Sequence, residues 1–383
     1  MSETSIPLYQ RIYNDLVSRI KRGEYKDGDR IPSEKELAEE YSVSRITSKK
    51  ALEMMAERGL IARAPGKGSF VKEDIPSGSE HRSDNQKQTN RKPTLVGLIL
   101  PDFSEAFGTT LLSGIEWEAS RENCFLVVKK SYGKQDMEES VIDALLELGV
   151  DGILIMPVHG ELYNRKILQL TLDEFPIVSI DRCMNGIPVS FVGTDNIGAS
   201  KKATDFMLDL GHKQISILCP PYKNTSTVYD RVEGFIKSHA EHGVGIDDSL
   251  WLTDLTSTLP GKNSEETRTK DVSKIMELLK SNPGITCLYA LEYNIALLAM
   301  KAAKSIGKSV PDDLSIVCFD SPDSPYNYEY EGGYRFTFVR QKEAEMGATA
   351  LKLLIGQMKE KKKSEKIYLD ADLVIGLSTK ECI

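Results

Sequence analysis

The stretch Arg30–Val71, RIPSEKELAEEYSVSRITSKKALEMMAERGLIARAPGKGSFV, decides the architecture of the N-terminal part of the chain. Ser33 is a helix N-cap, Glu36 three residues on completes a capping box, and Leu37, Ala38 and Tyr41 then share one helical face. Ser42-Val43-Ser44 interrupts that helix. Ser44 caps a second helix, whose buried side is expected from Ile46, Ala51, Leu52 and Met55 and whose end is marked by Gly59. Arg45, Lys49 and Lys50 fall on its outer surface. Gly66-Lys67-Gly68 makes a turn between Ile61-Ala62-Arg63 and Ser69-Phe70-Val71, so a basic loop lies beside a basic helix. Two short helices, a tight turn and a glycine-bearing hairpin outline a winged helix-turn-helix.

Charge separates this segment from the rest. Between Ser44 and Lys67 stand Arg45, Lys49, Lys50, Arg58, Arg63 and Lys67 against only Glu53 and Glu57. Residues 1–72 hold 14 Lys and Arg against 11 Asp and Glu, a net +3 that leaves −11 for the remainder of a chain whose net charge is −8. A short basic run is usually a solvated face. A local reversal of sign in an acidic chain, on a helix-turn-helix, points instead to a nucleic-acid footprint.

The run Pro32-Ser33-Glu34, Leu37-Ala38, Val43-Ser44-Arg45, Ala51-Leu52, Gly59-Leu60 and Gly66-Lys67-Gly68-Ser69-Phe70-Val71 resembles the DNA-binding domain of GntR-type repressors over about residues 6–72. The resemblance implies that Arg45 contacts guanine, that its neighbours on the recognition helix touch bases and phosphates, and that the wing enters the adjacent minor groove. Its DNA-binding residues would be Glu34, Ser44, Arg45, Thr47, Lys49 and Lys67. Ser48-Lys49 departs from the Val-Arg usual in that family, and lysine lacks the planar two-pronged donor that arginine offers guanine.

A chain of 383 residues, 40% hydrophobic, has room for this head and a larger domain. No apolar run reaches the ~18 residues of a membrane span, and MSETSIPLYQ lacks the pattern of a secretory signal, so a cytoplasmic protein is expected. Cys124, Cys183, Cys219, Cys287, Cys318 and Cys382 are scattered without C-x-x-C or histidine-pair spacing, which reads as reduced structural thiols and no metal site. Residues 73–93, polar, charged and poor in large apolar side chains, read as a flexible linker between residues 1–72 and 94–383.

After Pro93, β-rich runs alternate with amphipathic helical patterns. Strands are expected at Leu95–Leu100, Cys124–Val128, Gly152–Met156, Pro176–Ile180, Ile215–Cys219, Thr286–Ala290 and Ser315–Phe319. Helices are expected at Thr110–Arg121, Met137–Leu148, Tyr163–Leu172, Asn196–Leu210, Arg231–His242, Ser273–Lys280, Ile295–Ser305 and Lys342–Lys359. Such alternation over nearly 300 residues implies an α/β fold of parallel doubly wound sheets in two lobes. Ligands of such folds lie beyond the carboxyl ends of the strands, where Asp102, Asp181 and Asp320 stand. Three carboxylates there suit hydroxyl groups, since each accepts up to about four hydrogen bonds; the alternative is that each aspartate caps a following helix. Arg231 is expected to begin a helix, an unfavourable end for a cation unless an anionic partner or ligand meets it.

The phrases Val96–Asp102, Gly149–Ile155, Ile180-Asp181-Arg182, Val192–Gly198, Arg231–Phe235, Val310–Asp320 and Gln341 resemble the effector-binding core of lactose- and galactose-repressor relatives and periplasmic sugar-binding proteins, over about residues 94–379. That resemblance implies lobes of roughly 94–190 plus 320–340 and 195–318 plus 341–375. It also implies sugar contacts by Asp181, Arg231 and Asp320, with Gln341 nearby and Asp102, Phe103 and Phe107 on the loop after the first strand; a flat aromatic stacks on a sugar's apolar face. The Asn-Asp pair usual before the helix near Ile295 is replaced by Glu292-Tyr293, which adds Glu292 as a carboxylate.

The fusion resembles the arabinose repressors. It implies a homodimeric repressor of carbohydrate-utilisation genes on double-stranded operator DNA, released by a sugar, with a pentose such as L-arabinose favoured. The alternatives are a sugar-binding module with a vestigial head and a regulator answering to a nucleoside or small acid. No catalytic, metal or cofactor site is expected: Gly66-Lys67-Gly68-Ser69 lacks the first glycine of a phosphate loop, Ile61 standing there, and GxSxG, HExxH and GxGxxG are absent.

Overall fold

A computed structural model describes residues 8–26, 28–57, 60–64, 68–71, 93–102, 107–158, 164–184, 186–221, 225–322, 336–360 and 363–382. The chain divides into two compact units, Met1–Asn90 and Arg91–Ile383. The expected linker and the Gly66-Lys67 turn lie outside the described residues.

The first unit contains α1 (Leu8–Lys21), β1 (Arg30–Ile31), α2 (Glu34–Glu40), α3 (Arg45–Glu57), β2 (Ile61–Ala64) and β3 (Gly68–Val71), with an antiparallel sheet of order β1-β3-β2. The capping box forms: Ser33 N–H donates to Glu36 Oε2 at 2.6 Å, and Glu36 N–H to Ser33 Oγ at 3.3 Å. Ser42, at φ 51°, turns the chain between helices, and Ser44 Oγ accepts from Thr47 N–H at 3.2 Å. Leu37, Ala51, Leu52 and Met55 pack with Ile12, Leu16 and Ile20 of α1. Ile46 does not join them; contrary to the expectation above, it is 80% exposed, and Ser48 takes the inward position.

The second unit holds two sheets. The first has order β13-β8-β7-β6-β4-β5, all pairs parallel, from β4 (Thr94–Leu100), β5 (Cys124–Lys130), β6 (Gly152–Ile155), β7 (Ile177–Ile180), β8 (Ser190–Thr194) and β13 (Lys366–Leu369). The second has order β14-β12-β11-β10-β9, from β9 (Ile215–Leu218), β10 (Cys287–Ala290), β11 (Ser315–Phe319), β12 (Thr337–Arg340) and an antiparallel edge, β14 (Asp372–Val374). Helices α4 (Thr109–Arg121), α5 (Gln135–Leu148), α6 (Arg165–Leu172) and α11 (Glu343–Lys359) serve the first lobe; α7 (Asn196–Asp209), α8 (Ser226–His242), α9 (Glu265–Ser281) and α10 (Tyr293–Ser305) serve the second.

The C-terminal segments are distributed in the opposite way to the expected lobes. Strand β12 belongs to the second sheet, whereas α11 and β13 belong to the first. Packing explains it: Met346, Ala350, Leu351 and Leu354 of α11 share a core with Val96, Leu98 and Val178. Helix α11 lies so close to α4 that a Cβ at Gly114 would stand 2.2 Å from Ala344 O, and one at Gly347 2.4 Å from Leu111 O. The chain therefore crosses between lobes three times, at Asp195, at Gln341-Lys342 and at Asp370-Ala371.

Candidate functional site

In the head, Ser44, Arg45, Lys49 and Lys50 are exposed and Thr47 is half-buried, so the N-terminal half of α3 presents them outward. Lys49 pairs with Glu53 at 3.7 Å, and the Lys50 ammonium lies 4.2 Å over the Tyr9 ring. Ser48 is fully buried, and its hydroxyl donates to Glu34 O at 2.7 Å. The departure at Ser48 is thus a strut that seats α3 against the first turn of α2, while the departure at Lys49 lies on the surface. Glu34, half-buried at the start of α2, enters this contact through its backbone. Lys67 lies outside the described residues.

In the second unit, a cavity of about 460 Å3 opens between the two sheets, beyond the carboxyl ends of the strands. Asp102, Phe107, Asp181, Arg231, Glu292, Asp320 and Gln341 all line it. Phe103 lies outside the described residues. Asp181 follows β7 at φ 63° and Asp320 follows β11 at φ 62°, two aspartates in the left-handed region at equivalent strand ends, one from each lobe. Asp is among the residues that tolerate this conformation, and such outliers concentrate at binding sites. Asp181 does not fit the helix-capping alternative. The element after Asp181 is the strand β8, and Asp320 Oδ1 accepts from Gln341 Nε2 at 2.8 Å.

Arg231 does not begin a helix: α8 starts at Ser226 and places it in the second turn, away from the unfavourable end. Nearly buried, it donates from Nε to Asn196 Oδ1 and from an Nη to Leu291 O, both at 2.8 Å, and its guanidinium lies 3.8 Å over Phe319. These anchors hold it rigidly against the cavity. Gln341 stands at the second inter-lobe crossing and also accepts from Thr194 Oγ1 at 2.6 Å, beside the first crossing. The carboxylate Asp320 is thereby linked to the hinge itself. Asp102, half-exposed at the edge, pairs with Lys130 at 2.5 Å.

Burial sets the electrostatics. It raises Asp181 and Glu292 above the ordinary carboxylate range, against the opposing pull of Arg182 and Arg231, and pushes Asp320 to about 6. Burial also carries Glu343, whose Oε2 accepts from Gly108 N–H at 2.8 Å, to about 7. Asp181 Oδ1 and the Ser257 hydroxyl are buried without a protein partner, as a cavity built for hydrogen-bonding ligands leaves them, while the Thr258 hydroxyl stands against Glu292 and opposes the effect of burial there. The set can accept hydroxyl protons at three carboxylates and donate from Arg231. Among the described residues, no group of three or more His, Cys, Asp or Glu could hold a metal ion, and no helix is long and apolar enough to cross a membrane.

Sequence reasoning missed several lining residues. Arg182 stands within the phrase Ile180-Asp181-Arg182; its Nη1 donates to Pro157 O and Val158 O at 3.0 and 2.8 Å, while burial lowers its pKa. Ser257, Thr258 and Asn263 come from an irregular segment without periodic signal. Buried Asp271 ties that segment to α9, accepting from Thr256 and Ser257 N–H at 2.9 and 2.7 Å.

Residues 8–71 match the family described as bacterial regulatory proteins, gntR family, and residues 96–363 match the periplasmic binding protein domain. The chain is 27% identical to an arabinose metabolism transcriptional repressor of Halalkalibacterium halodurans, covering 97% of this chain and 96% of that protein. It is 25% identical to a protein of the same description from Geobacillus stearothermophilus, each covered in full. Among solved structures, transcription regulator CcpA of Lactococcus lactis is similar with a TM-score of 0.64 at 24% identity, and a LacI family regulator of Enterococcus faecium with bound ribose with 0.62 at 24%. Each likeness covers 76% of this chain and 100% of the other.

Proposed function

This chain belongs to the periplasmic binding protein domain family and carries a GntR-family head, and we propose that it is a transcriptional repressor whose hold on operator DNA is governed by a sugar in the inter-lobe cavity. The observation that carries the reading is the convergence of Asp181, Arg231, Glu292, Asp320 and Gln341 from both lobes on one cleft, with Gln341 and Thr194 joined across the hinge. Sugar hydroxyls donate to the carboxylates of both lobes at once and accept from Arg231. Binding therefore favours one relative setting of the lobes, and that differential affinity is what a regulator needs. A pentose such as L-arabinose is the favoured effector, on the likeness to the two arabinose metabolism repressors.

The working unit in this reading is a cytoplasmic homodimer, two heads on a pseudo-palindromic operator. Apolar side chains exposed on α4 and the edge strand β5, Trp117, Phe125 and Val128, suit contact with a second copy. Arg45, Ser44, Thr47 and Lys49 meet the major groove, with Glu34 beside them; Lys67, outside the described residues, joins them on the resemblance to the GntR-type heads.

Two measurements on the full chain test this. Fluorescence anisotropy with DNA from upstream of its own gene shows specific binding that weakens steeply with salt, as several phosphate contacts require. A thermal-shift screen over pentoses, hexoses and disaccharides finds one sugar that stabilises the protein and lowers operator affinity; at ~100 times its Kd it adds about 2.7 kcal/mol. Absence of any specific DNA binding overturns the repressor reading. Stabilisation by a nucleoside or small acid and by no sugar replaces the effector class.

A further inference from the structure

Among the described residues, no large apolar side chain is more exposed than Ile46, at 80%. Folding does not account for it. A β-branched residue is a weaker helix former than Ala, Lys or Arg, and this one buries almost nothing in return. Its position is specific. The inward face of α3 is set by Ser48, Ala51, Leu52 and Met55, all fully or almost fully buried. At 100° per residue Ile46 points away from that face, in line with exposed Lys49 and Lys50 and next to exposed Arg45. The helix is held in this rotation from behind, by the Ser48 hydroxyl donating to Glu34 O of α2 at 2.7 Å.

An apolar group at the N-terminal turn of a recognition helix, flanked by cations, faces a surface that is anionic at its rims. The chemistry on that surface which rewards an apolar contact is the C5-methyl of thymine in the major groove. We infer that Ile46 is a specificity-determining residue that packs on a thymine methyl in each operator half-site, beside the base contact of Arg45. This rests on the DNA-binding reading above. It assigns base readout to a residue whose apolar character alone suggests the core, and it adds an apolar requirement to a helix whose remaining outward groups are polar or charged.

The test uses the full chain and an operator enriched from random duplex DNA by the wild-type protein. Each thymine is replaced in turn by deoxyuridine, which removes only the methyl group. Wild type loses affinity about three- to fivefold at one thymine per half-site, the scale of one buried methyl, and is unaffected at the others. Ile46→Ala binds more weakly and shows no deoxyuridine penalty at that thymine, while its melting temperature is unchanged because the side chain is exposed. Equal wild-type affinity for every deoxyuridine duplex, or the same penalty in Ile46→Ala, overturns the assignment. So does an unchanged operator affinity accompanied by an altered sedimentation coefficient, which makes Ile46 a contact between copies. Failure to enrich any sequence overturns the DNA-binding reading itself and is thereby distinguishable from failure of the Ile46 contact.

Discussion

Replacing Gln341 by Leu cuts the link between the cavity and the hinge. In the wild type its amide donates to Asp320 Oδ1 at 2.8 Å and accepts from Thr194 Oγ1 at 2.6 Å, and Gln341 and Thr194 are 7% and 2% exposed. A hydrogen bond to an ionised group contributes about 1.5–3 kcal/mol and a neutral one about 0.5–1.5 kcal/mol, so Gln341→Leu costs about 2–4 kcal/mol at neutral pH. That corresponds to a fall of roughly 4–10 °C in melting temperature for a unit of this size. The loss depends on pH in a defined direction. Burial raises Asp320 to about 6, above its ordinary value, so the stability tied to its titration is fully present at low pH and is lost as pH rises through about 6. The Gln341 amide offsets part of that loss by solvating the ionised carboxylate. The gap between wild type and variant is therefore small at pH 5, about 1 kcal/mol from the neutral bonds, and opens at pH 8. Calorimetric melts of the full chain without effector, at both pH values, measure it. A gap of equal size at pH 5 and pH 8, or none at pH 8, refutes the reasoning.

Effector affinity should rise as pH rises through about 6, since sugar hydroxyls favour ionised Asp320; a bound-state pKa one unit lower makes the change about fivefold between pH 5 and pH 7.5 by titration calorimetry. Affinity that is flat or improves on acidification contradicts it. Arg45→Ala should weaken specific operator binding by about 1–3 kcal/mol while leaving the thermal response to effector intact, read by anisotropy and melting in parallel. Ser48→Val should destabilise the head by about 1–3 kcal/mol, because Glu34 O loses its buried donor, and should weaken DNA binding without removing any exposed group. Gly347→Leu should prevent α11 from seating on α4 and lower the yield of folded protein, since even a Cβ there would meet Leu111 O at 2.4 Å; normal melting of this variant would show that the close approach is dispensable.

Elements defined by local chemistry were legible in the chain itself. The capping box at Ser33 and Glu36 and the second cap at Ser44 mark helix starts through contacts three residues apart, so α2 and α3 are found where expected. Strand-end aspartates were legible for a similar reason, as polar residues closing apolar runs. Helix α1 carries Ile12, Leu16 and Ile20 on one face, a periodic signal present but unread. Ile46 reads as core on its apolar character, yet at 100° per residue it lies opposite Ala51, Leu52 and Met55, and the seating of Ser48 on Glu34 turns that face outward. Arg231 needs no anionic partner or ligand to offset a helix start, because α8 extends a turn further, to Ser226.

By itself the sequence determined the two-part plan, a basic winged head ahead of an acidic α/β core, because charge, capping and β/α alternation are properties of neighbouring residues. The tertiary structure alone decided which lobe owns β12, α11 and β13, since strand order and the Gly114–Gly347 approach join residues more than two hundred positions apart. It likewise decided that Asp320, Gln341 and Thr194 form one chain of hydrogen bonds from cavity to hinge, a contact that no local pattern can encode because Thr194 and Gln341 come from two different crossings of the fold and Asp320 from a strand end.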